Sequence, residues 1–201
     1  MDQQKYEKLL NIKTQGAQKE FYRSIHYHRY EPTSYHVFET LFQEFNIYEN
    51  DNLIDFGCGK GRLNFYANHF FNVNAKGIEM NSFYIDECNH NKKSYFEKHN
   101  NKESKIEFFN SHAEKYKVEK DDNIFYFFNP FSVQIFSKVL KNILKSYEKF
   151  PRKITLLLYY PSDDYIYYLE NDSPFTLDKE VCIYPEYKKN DREKVSIYTF
   201  G

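Results

Sequence analysis

Two carboxylates and a tight cluster of glycines are the residues of this chain best placed to do chemistry. Three of its six glycines stand in the segment Asp55-Phe56-Gly57-Cys58-Gly59-Lys60-Gly61, directly after the apolar pair Leu53-Ile54. Lacking a Cβ, glycine lets a backbone turn sharply and approach a ligand closely. A helix-like segment runs from Arg62 to about Phe70, and a second strand-like run, 73–78, ends in Glu79, eighteen residues beyond Gly61. Strand, glycine turn, helix and second strand form a βαβ unit. An acid at the tip of its second strand can accept hydrogen bonds from the two hydroxyls of a ribose. The alternatives for these residues are a tight turn around no ligand and a solvated strand end at Glu79.

The spacing narrows the ligand. Dinucleotide sites use Gly-x-Gly-x-x-Gly to bring a pyrophosphate onto a helix N-terminus, whereas this chain reads Gly-x-Gly-x-Gly with Asp55 two residues ahead of it. A carboxylate there repels phosphate and suits a cationic or amine-bearing ligand. The segment 55–61 resembles the first motif of the class I S-adenosylmethionine-dependent methyltransferases, and Glu79 matches that family's ribose-binding acid. The resemblance spans about 33–200 and is strongest over 53–79.

What the resemblance implies is specific. S-adenosylmethionine is the expected cofactor, with Asp55 orienting its methionine amino group, directly or through water, and Gly57, Cys58, Gly59 and Gly61 passing beneath it. Cys58 reads as a small pocket-lining residue, since no base stands near it to make a nucleophile. Met80 either presses on the adenine or belongs to the core. In Asn110-Ser111-His112-Ala113-Glu114, His112 occupies the place of the family's adenine-binding acid. Adenine recognition then falls to the backbone of His112 and Ala113 or to Glu114, unless His112 is simply exposed. Asn129-Pro130-Phe131 resembles the Asp/Asn-Pro-Pro-Tyr/Phe motif of amino-group methyltransferases, with the second proline missing and the aromatic one place early. It implies a catalytic segment beside the cofactor in which Asn129 accepts a hydrogen bond from a target nitrogen and Pro130 and Phe131 shape the acceptor slot. A proline that merely ends a strand explains the same three residues. Tyr30 and Thr33, in Tyr30-Glu31-Pro32-Thr33, either close over the methionine end of the cofactor or mark a helix entry.

The implied activity is in-line transfer of a methyl group to an unidentified acceptor, with a leaning towards nitrogen that rests on residues 129–131. A non-catalytic nucleoside-binding or regulatory module on the same fold is the rival. A dinucleotide oxidoreductase is disfavoured by the glycine spacing and Asp55.

These residues need a scaffold, and the hydrophobic pattern supplies one. Strand signals at 52–56, 73–78, 105–109, 123–128 and 153–159 alternate with helical signals at 62–70, 82–98, 132–149 and 162–170, with a short helical turn near 113–117. Such alternation predicts an α/β, doubly wound, mostly parallel sheet with helices on both faces. The last two runs, 175–184 and 193–200, have no helix between them and predict a C-terminal antiparallel hairpin, completing seven strands. A helix with Val37, Phe38, Leu41, Phe42 and Phe45 on one face follows a cap at Thr33 or Ser34. Residues 1–32 read as an N-terminal helical cap of one or two helices, with Leu9, Leu10, Phe21, Tyr22 and Ile25 in loose helical spacing, and 33–201 as the methyltransferase-like domain.

Composition sets wide limits. At 201 residues the chain is long enough for one substantial core, and its net charge of −1 gives no global field to attract nucleic acid. Lys138, Lys141, Lys145 and Lys149 form a stripe on helix 132–149, extended by Arg152 and Lys153. The stripe reads as a solvated face, and nucleic acid there is possible but not favoured. Three cysteines without pairing pattern suggest a reducing compartment, and no apolar run approaches the ~20 residues that span a bilayer. A cytoplasmic protein without membrane contact is expected. His26 and His28 have His-x-His spacing but no companion ligands, so no metal is expected.

Overall fold

The computed structural model describes residues 3–16, 30–99 and 105–201. Phe21, Tyr22, Ile25, His26 and His28 lie outside them, so the second half of the expected N-terminal cap is not described. The chain order is α1 (Gln3–Leu10), α2 (Tyr35–Glu44), β1 (Asn52–Phe56), α3 (Arg62–Phe71), β2 (Asn74–Glu79), α4 (Ser82–Lys98) and β3 (Ile106–Asn110). It continues with a 3-10 turn (Ala113–Lys115), β4 (Ile124–Phe127), α5 (Val133–Lys149), β5 (Ile154–Tyr159), α6 (Asp163–Asp172), β6 (Thr176–Cys182), a second 3-10 turn (Glu186–Lys188) and β7 (Lys194–Phe200).

The seven strands form one sheet in the order β3-β2-β1-β4-β5-β7-β6, all parallel except β7, which runs antiparallel to β5 and β6. The expected fold is therefore present, hairpin included. Alternation along each strand divides the side chains between two cores. Leu53, Tyr126, Leu157 and Ile197 pack with α1, α2 and α3 on one face. Ile54, Phe56, Phe125, Phe127, Leu156 and Leu158 pack with α5 and α6 on the other. The strand order reverses between β1 and β4, and in open α/β sheets ligands bind outside the carboxyl ends of strands at such a switch point.

Helix α5 buries Ile135, Phe136, Val139, Leu140 and Ile143 against the sheet and leaves Lys138, Lys141, Lys145 and Lys149 exposed. Arg152 does not extend that stripe as expected. Its guanidinium folds back to donate to the carbonyls of Asp122, Phe150 and Glu119 and to Ser146 Oγ.

The N-terminal arm is fastened to the domain by Arg62, the first residue of α3 and only 5% exposed. Its Nε donates to Thr14 Oγ1 at 2.6 Å, Nη1 to Gln3 Oε1 and to the Thr33 carbonyl at 2.9 Å each, and Nη2 to Glu7 Oε1 at 3.3 Å. The guanidinium also lies over the Tyr35 ring, 4.8 Å from its centroid. Leu10 and Ile12 enter the same core as β1. One buried cation thus gathers four separate places in the chain around the start of α3.

Removing that cation leaves Glu7, Gln3 Oε1 and the Thr33 carbonyl short of a donor. Arg62→Met is expected to destabilise the protein by about 3 kcal/mol, the scale of breaking a buried ion pair from one side, and Glu7→Gln in that background to recover part of the loss. Urea unfolding of wild type, single and double variants checks this.

Candidate functional site

Residues 57–61 turn the chain from β1 into α3, with φ of 79°, 53° and 80° at Gly57, Gly59 and Gly61, values that L side chains rarely adopt. The turn is pinned to the neighbouring strand, since the amides of Gly57 and Cys58 both donate to the Ile78 carbonyl, at 2.8 and 3.3 Å. It is also packed by the protein's own side chains. A Cβ on Gly57 would stand 2.7 Å from Pro130 Cβ, and one on Gly59 only 2.0 Å from Tyr30 Cε2. The Tyr30 ring therefore occupies the space beside Gly59. It is held there by its hydroxyl, which donates to the Thr14 carbonyl at 2.7 Å, and by Tyr84, 4.7 Å away between ring centroids.

Between the arm and the ends of β1 and β4 is a small cleft of about 30 Å³, well below the range of ligand sites. Tyr30, Glu31, Pro32, Thr33, Asp55, Gly57, Cys58, Arg62, Tyr126 and Phe128 line it, with Phe38 and Leu63 behind. Thr33 Oγ1 and Tyr126 Oη share a hydrogen bond of 3.0 Å across it. Asp55 is 5% exposed, and among the described residues no donor reaches its carboxylate. Burial, reinforced by the negative charge of Glu79, pushes its pKa up to about 8. An uncompensated carboxylate facing a cleft is a place for a cation.

Glu79 stands at the end of β2. Its Oε2 accepts from the Gly59 amide at 3.1 Å and its Oε1 from the Asn81 amide at 2.8 Å. Burial raises its pKa while the Asn81 and Gly59 amides pull it back down. Glu79 thus fixes the glycine turn with part of its accepting capacity, and two oxygens with about four lone-pair sites leave room for ligand hydroxyls. Cys58 sits beside Cys88, and burial holds its thiol protonated, well above the ordinary value. Cys88 Sγ donates to the Gly59 carbonyl at 3.1 Å, a further tie on the same turn.

The fold has close relatives in shape but not in sequence. An RNA methyltransferase from Salinibacter ruber in complex with S-adenosyl-L-homocysteine superposes with a TM-score of 0.55 at 15% identity, covering 85% of this chain and 92% of that one. The putative methyltransferase YhhF of Escherichia coli gives 0.56 at 18% identity, over 84% and 86%. The chain has the class I methyltransferase fold. Escherichia coli YjhP also shares this shape, with a TM-score of 0.59 at 11% identity over 84% of this chain and 93% of that one. No protein-family sequence model and no curated protein sequence matches the chain.

On this methyltransferase fold the expected site residues fall into three groups. Tyr30, Thr33, Asp55, Gly57 and Cys58 line the cleft, and Gly59 lies under Tyr30. Glu79, Met80, His112 and Ala113 gather at the ends of β2 and β3, where Asn110 Nδ2 donates to the carbonyls of Glu79 and Met80 and the Ser111 amide donates to Glu79 O. There His112 is exposed and Ala113 buried. Asn129 follows β4 with a φ of 40°, a left-handed conformation that asparagine tolerates better than most residues.

Phe131 departs from expectation. It is 1% exposed and packs into the opposite core against Phe127, its carbonyl accepting from the Tyr165 hydroxyl, so it cannot stack on an acceptor. Phe128 faces the cleft in its place, backed by Tyr159 with centroids 4.6 Å apart. Period-two alternation from Tyr126 pointed to Phe128, whereas a motif aligned on proline pointed to Phe131. Glu31 and Arg62 carried no local signal beyond their charge. Among the described residues, no group of three or more His, Cys, Asp or Glu is arranged to hold a metal ion, and no helix is long and apolar enough to cross a membrane.

The pKa of Asp55 makes stability depend on pH with a definite sign. The folded chain holds a proton there up to about pH 8, while the unfolded chain releases it near the ordinary 3.8. Between these values the folded state binds more protons, so stability falls as pH rises. Glu79 shifts in the same direction, and Asp55→Asn leaves it in place. Denaturant midpoints measured from pH 5 to pH 8 without ligand are expected to fall for wild type more steeply than for Asp55→Asn.

Proposed function

We propose that the protein is an S-adenosylmethionine-dependent methyltransferase whose acceptor atom is a nitrogen. The observation that carries this reading is the Asp55 carboxylate, buried, without a donor and facing a cleft at the sheet's switch point. The methionine ammonium of the cofactor is the cation that fits it. Glu79 would accept from the ribose hydroxyls while holding Gly59, and the ends of β2 and β3, with Met80, His112 and Ala113, would border the adenine. Tyr30 and Thr33 would close the arm over the methionine end. When bound, the cofactor supplies an electrophilic methyl group on a sulfonium.

The chain's part in the reaction is to bind, orient and exclude water. No enzyme-bound intermediate is required; the main demand is an acceptor held in line at roughly 3 Å from the methyl carbon. Asn129, positioned by its left-handed φ at the end of β4, would accept a hydrogen bond from the target nitrogen and aim its lone pair. Pro130 seats that turn against Gly57, and Phe128 walls the slot. The Salinibacter ruber protein is described as an RNA methyltransferase. In this chain the lysine stripe of α5 belongs to the helix layer opposite the N-terminal arm, which gives no support to an RNA acceptor.

Calorimetric titration is expected to show S-adenosylhomocysteine binding and NAD binding far more weakly, since Asp55 can give up its proton to pair with an ammonium and offers a pyrophosphate no compensating charge. Glu79→Gln should weaken the former by about 1.5 to 3 kcal/mol, the scale of hydrogen bonds to a charged group. Tighter binding of NAD would overturn the reading.

A second measurement addresses Asn129. Asn129→Gly keeps the positive φ and removes the side chain, so it should lower single-turnover methyl transfer roughly 100-fold with little change in cofactor affinity. Equal rates would make residues 129–131 a strand terminator only.

A further inference from the structure

The acceptor end of the cleft is built from aromatic faces and carboxylates. Phe128 and Tyr126 line it together with Glu31. Behind Phe128, Tyr159 donates to Glu193 Oε2 at 2.6 Å, and Tyr160 follows with its ring 6.3 Å from that of Tyr159. The charges felt most strongly at Tyr159 are those of Glu193, Glu31 and Glu186, all negative. Tyr160 is held at a φ of 52°, a strained value for an aromatic residue, by its amide donating to the Lys194 carbonyl and by Asn190 Nδ2 donating to its hydroxyl at 2.8 Å.

Most nearby cations are already committed. Arg192 lies over the Tyr160 ring at 4.3 Å and donates to the carbonyls of Pro161 and Tyr160, while Lys194 pairs with Glu180 at 2.8 Å. Arg62 is spent on the N-terminal arm, and Lys60 on the Gln15 carbonyl and Glu87. Lys188 and Lys189 are exposed on the turn between β6 and β7. Aromatic faces attract cations through the ring quadrupole, and carboxylates around them raise that preference while repelling phosphate.

We propose that the acceptor is a cationic aliphatic amine, drawn in by Glu31 at the cleft and by the charges of Glu186 and Glu193 behind it, and seated against Phe128. This rests on the methyl-transfer reading for its chemistry, though not for its binding site. The ammonium gives up one proton to a carboxylate or to water at the cleft mouth. Its freed lone pair forms the new N–C bond as the C–S bond breaks, and that bond's electron pair stays on sulfur as a neutral thioether. The product is a methylated ammonium, still cationic, and the same wall that attracts the substrate holds it. Any further round of methylation therefore starts from a bound species.

The test uses the full chain, with and without saturating S-adenosylhomocysteine, and three probes: butylammonium, its neutral isostere 1-butanol, and a ten-residue oligouridylate. Saturation-transfer NMR reads the affinities. Butylammonium should bind about tenfold more tightly than butanol, the scale of a cation held against aromatic faces, and the oligonucleotide more weakly than either. The Glu31→Gln/Glu193→Gln variant should lose most of the preference for the cation; its thermal melt, compared with wild type, reports whether it folds. Equal binding of butylammonium and butanol by wild type, or tighter binding of the oligonucleotide, overturns the proposal without any variant. The two readings fail separately. Butylammonium binding without S-adenosylhomocysteine binding removes methyl transfer and keeps the amine site, and the reverse result removes the amine site alone.

Discussion

The guanidinium of Arg62 sits where a helix least tolerates a cation, at the first residue of α3, beside amides that already point positive partial charge towards it. It is buried there as well. Both penalties are offset because Glu7, Gln3, Thr14 and the Thr33 carbonyl converge on its nitrogens and the Tyr35 ring lies beneath it. Those partners come from the arm and from the approach to α2, so the cost of burying one charge is what draws the N-terminal segments onto the glycine turn. Tyr30 and Thr33 reach the cleft by the same tether. Without it the arm would lose its buried polar anchor beside the cleft that Asp55 lines.

Burial without a donor disfavours the charged form of Asp55, so its carboxyl keeps a proton in the free protein. Asp55 lies in register with Gly77 and Tyr126 in the middle of the sheet, so neither neighbour offers it an amide, both being engaged in strand pairing. Glu79, by contrast, collects two amides from its own surroundings. The two acids of the βαβ unit therefore stand differently, one without a donor and the other partly consumed in shaping the turn.

Much of this was legible in the sequence. The bounds expected for β1 and α4, 52–56 and 82–98, are those observed, because each is delimited by strong local signals: the glycine cluster after β1, and Asn81, whose side chain accepts the Phe83 amide, before α4. The gathering of Asp55, Gly57 and Glu79 around one turn was legible because it is carried by spacing along one βαβ unit. What was not legible depends on distance in the fold. Arg152 looked like one more exposed cation until the loop carbonyls of Asp122 and Glu119 enclosed it. Phe131 looked like an acceptor wall until the turn after β4 carried it through to the opposite core. The Arg62 tether joins residues up to 59 apart in sequence, which no local pattern encodes.

The contact between Tyr30 and Gly59 changes what the glycine signature means. That glycine is usually taken as a mark of the bound ligand, yet here a Cβ at position 59 would collide with the protein's own tyrosine. The two positions are sterically one unit. A descendant that lost all transferase activity would still be held to glycine at 59 for as long as an aromatic ring stood at 30, so the motif would outlive the function. Drift at either site would have to begin at position 30, where a smaller side chain first makes room.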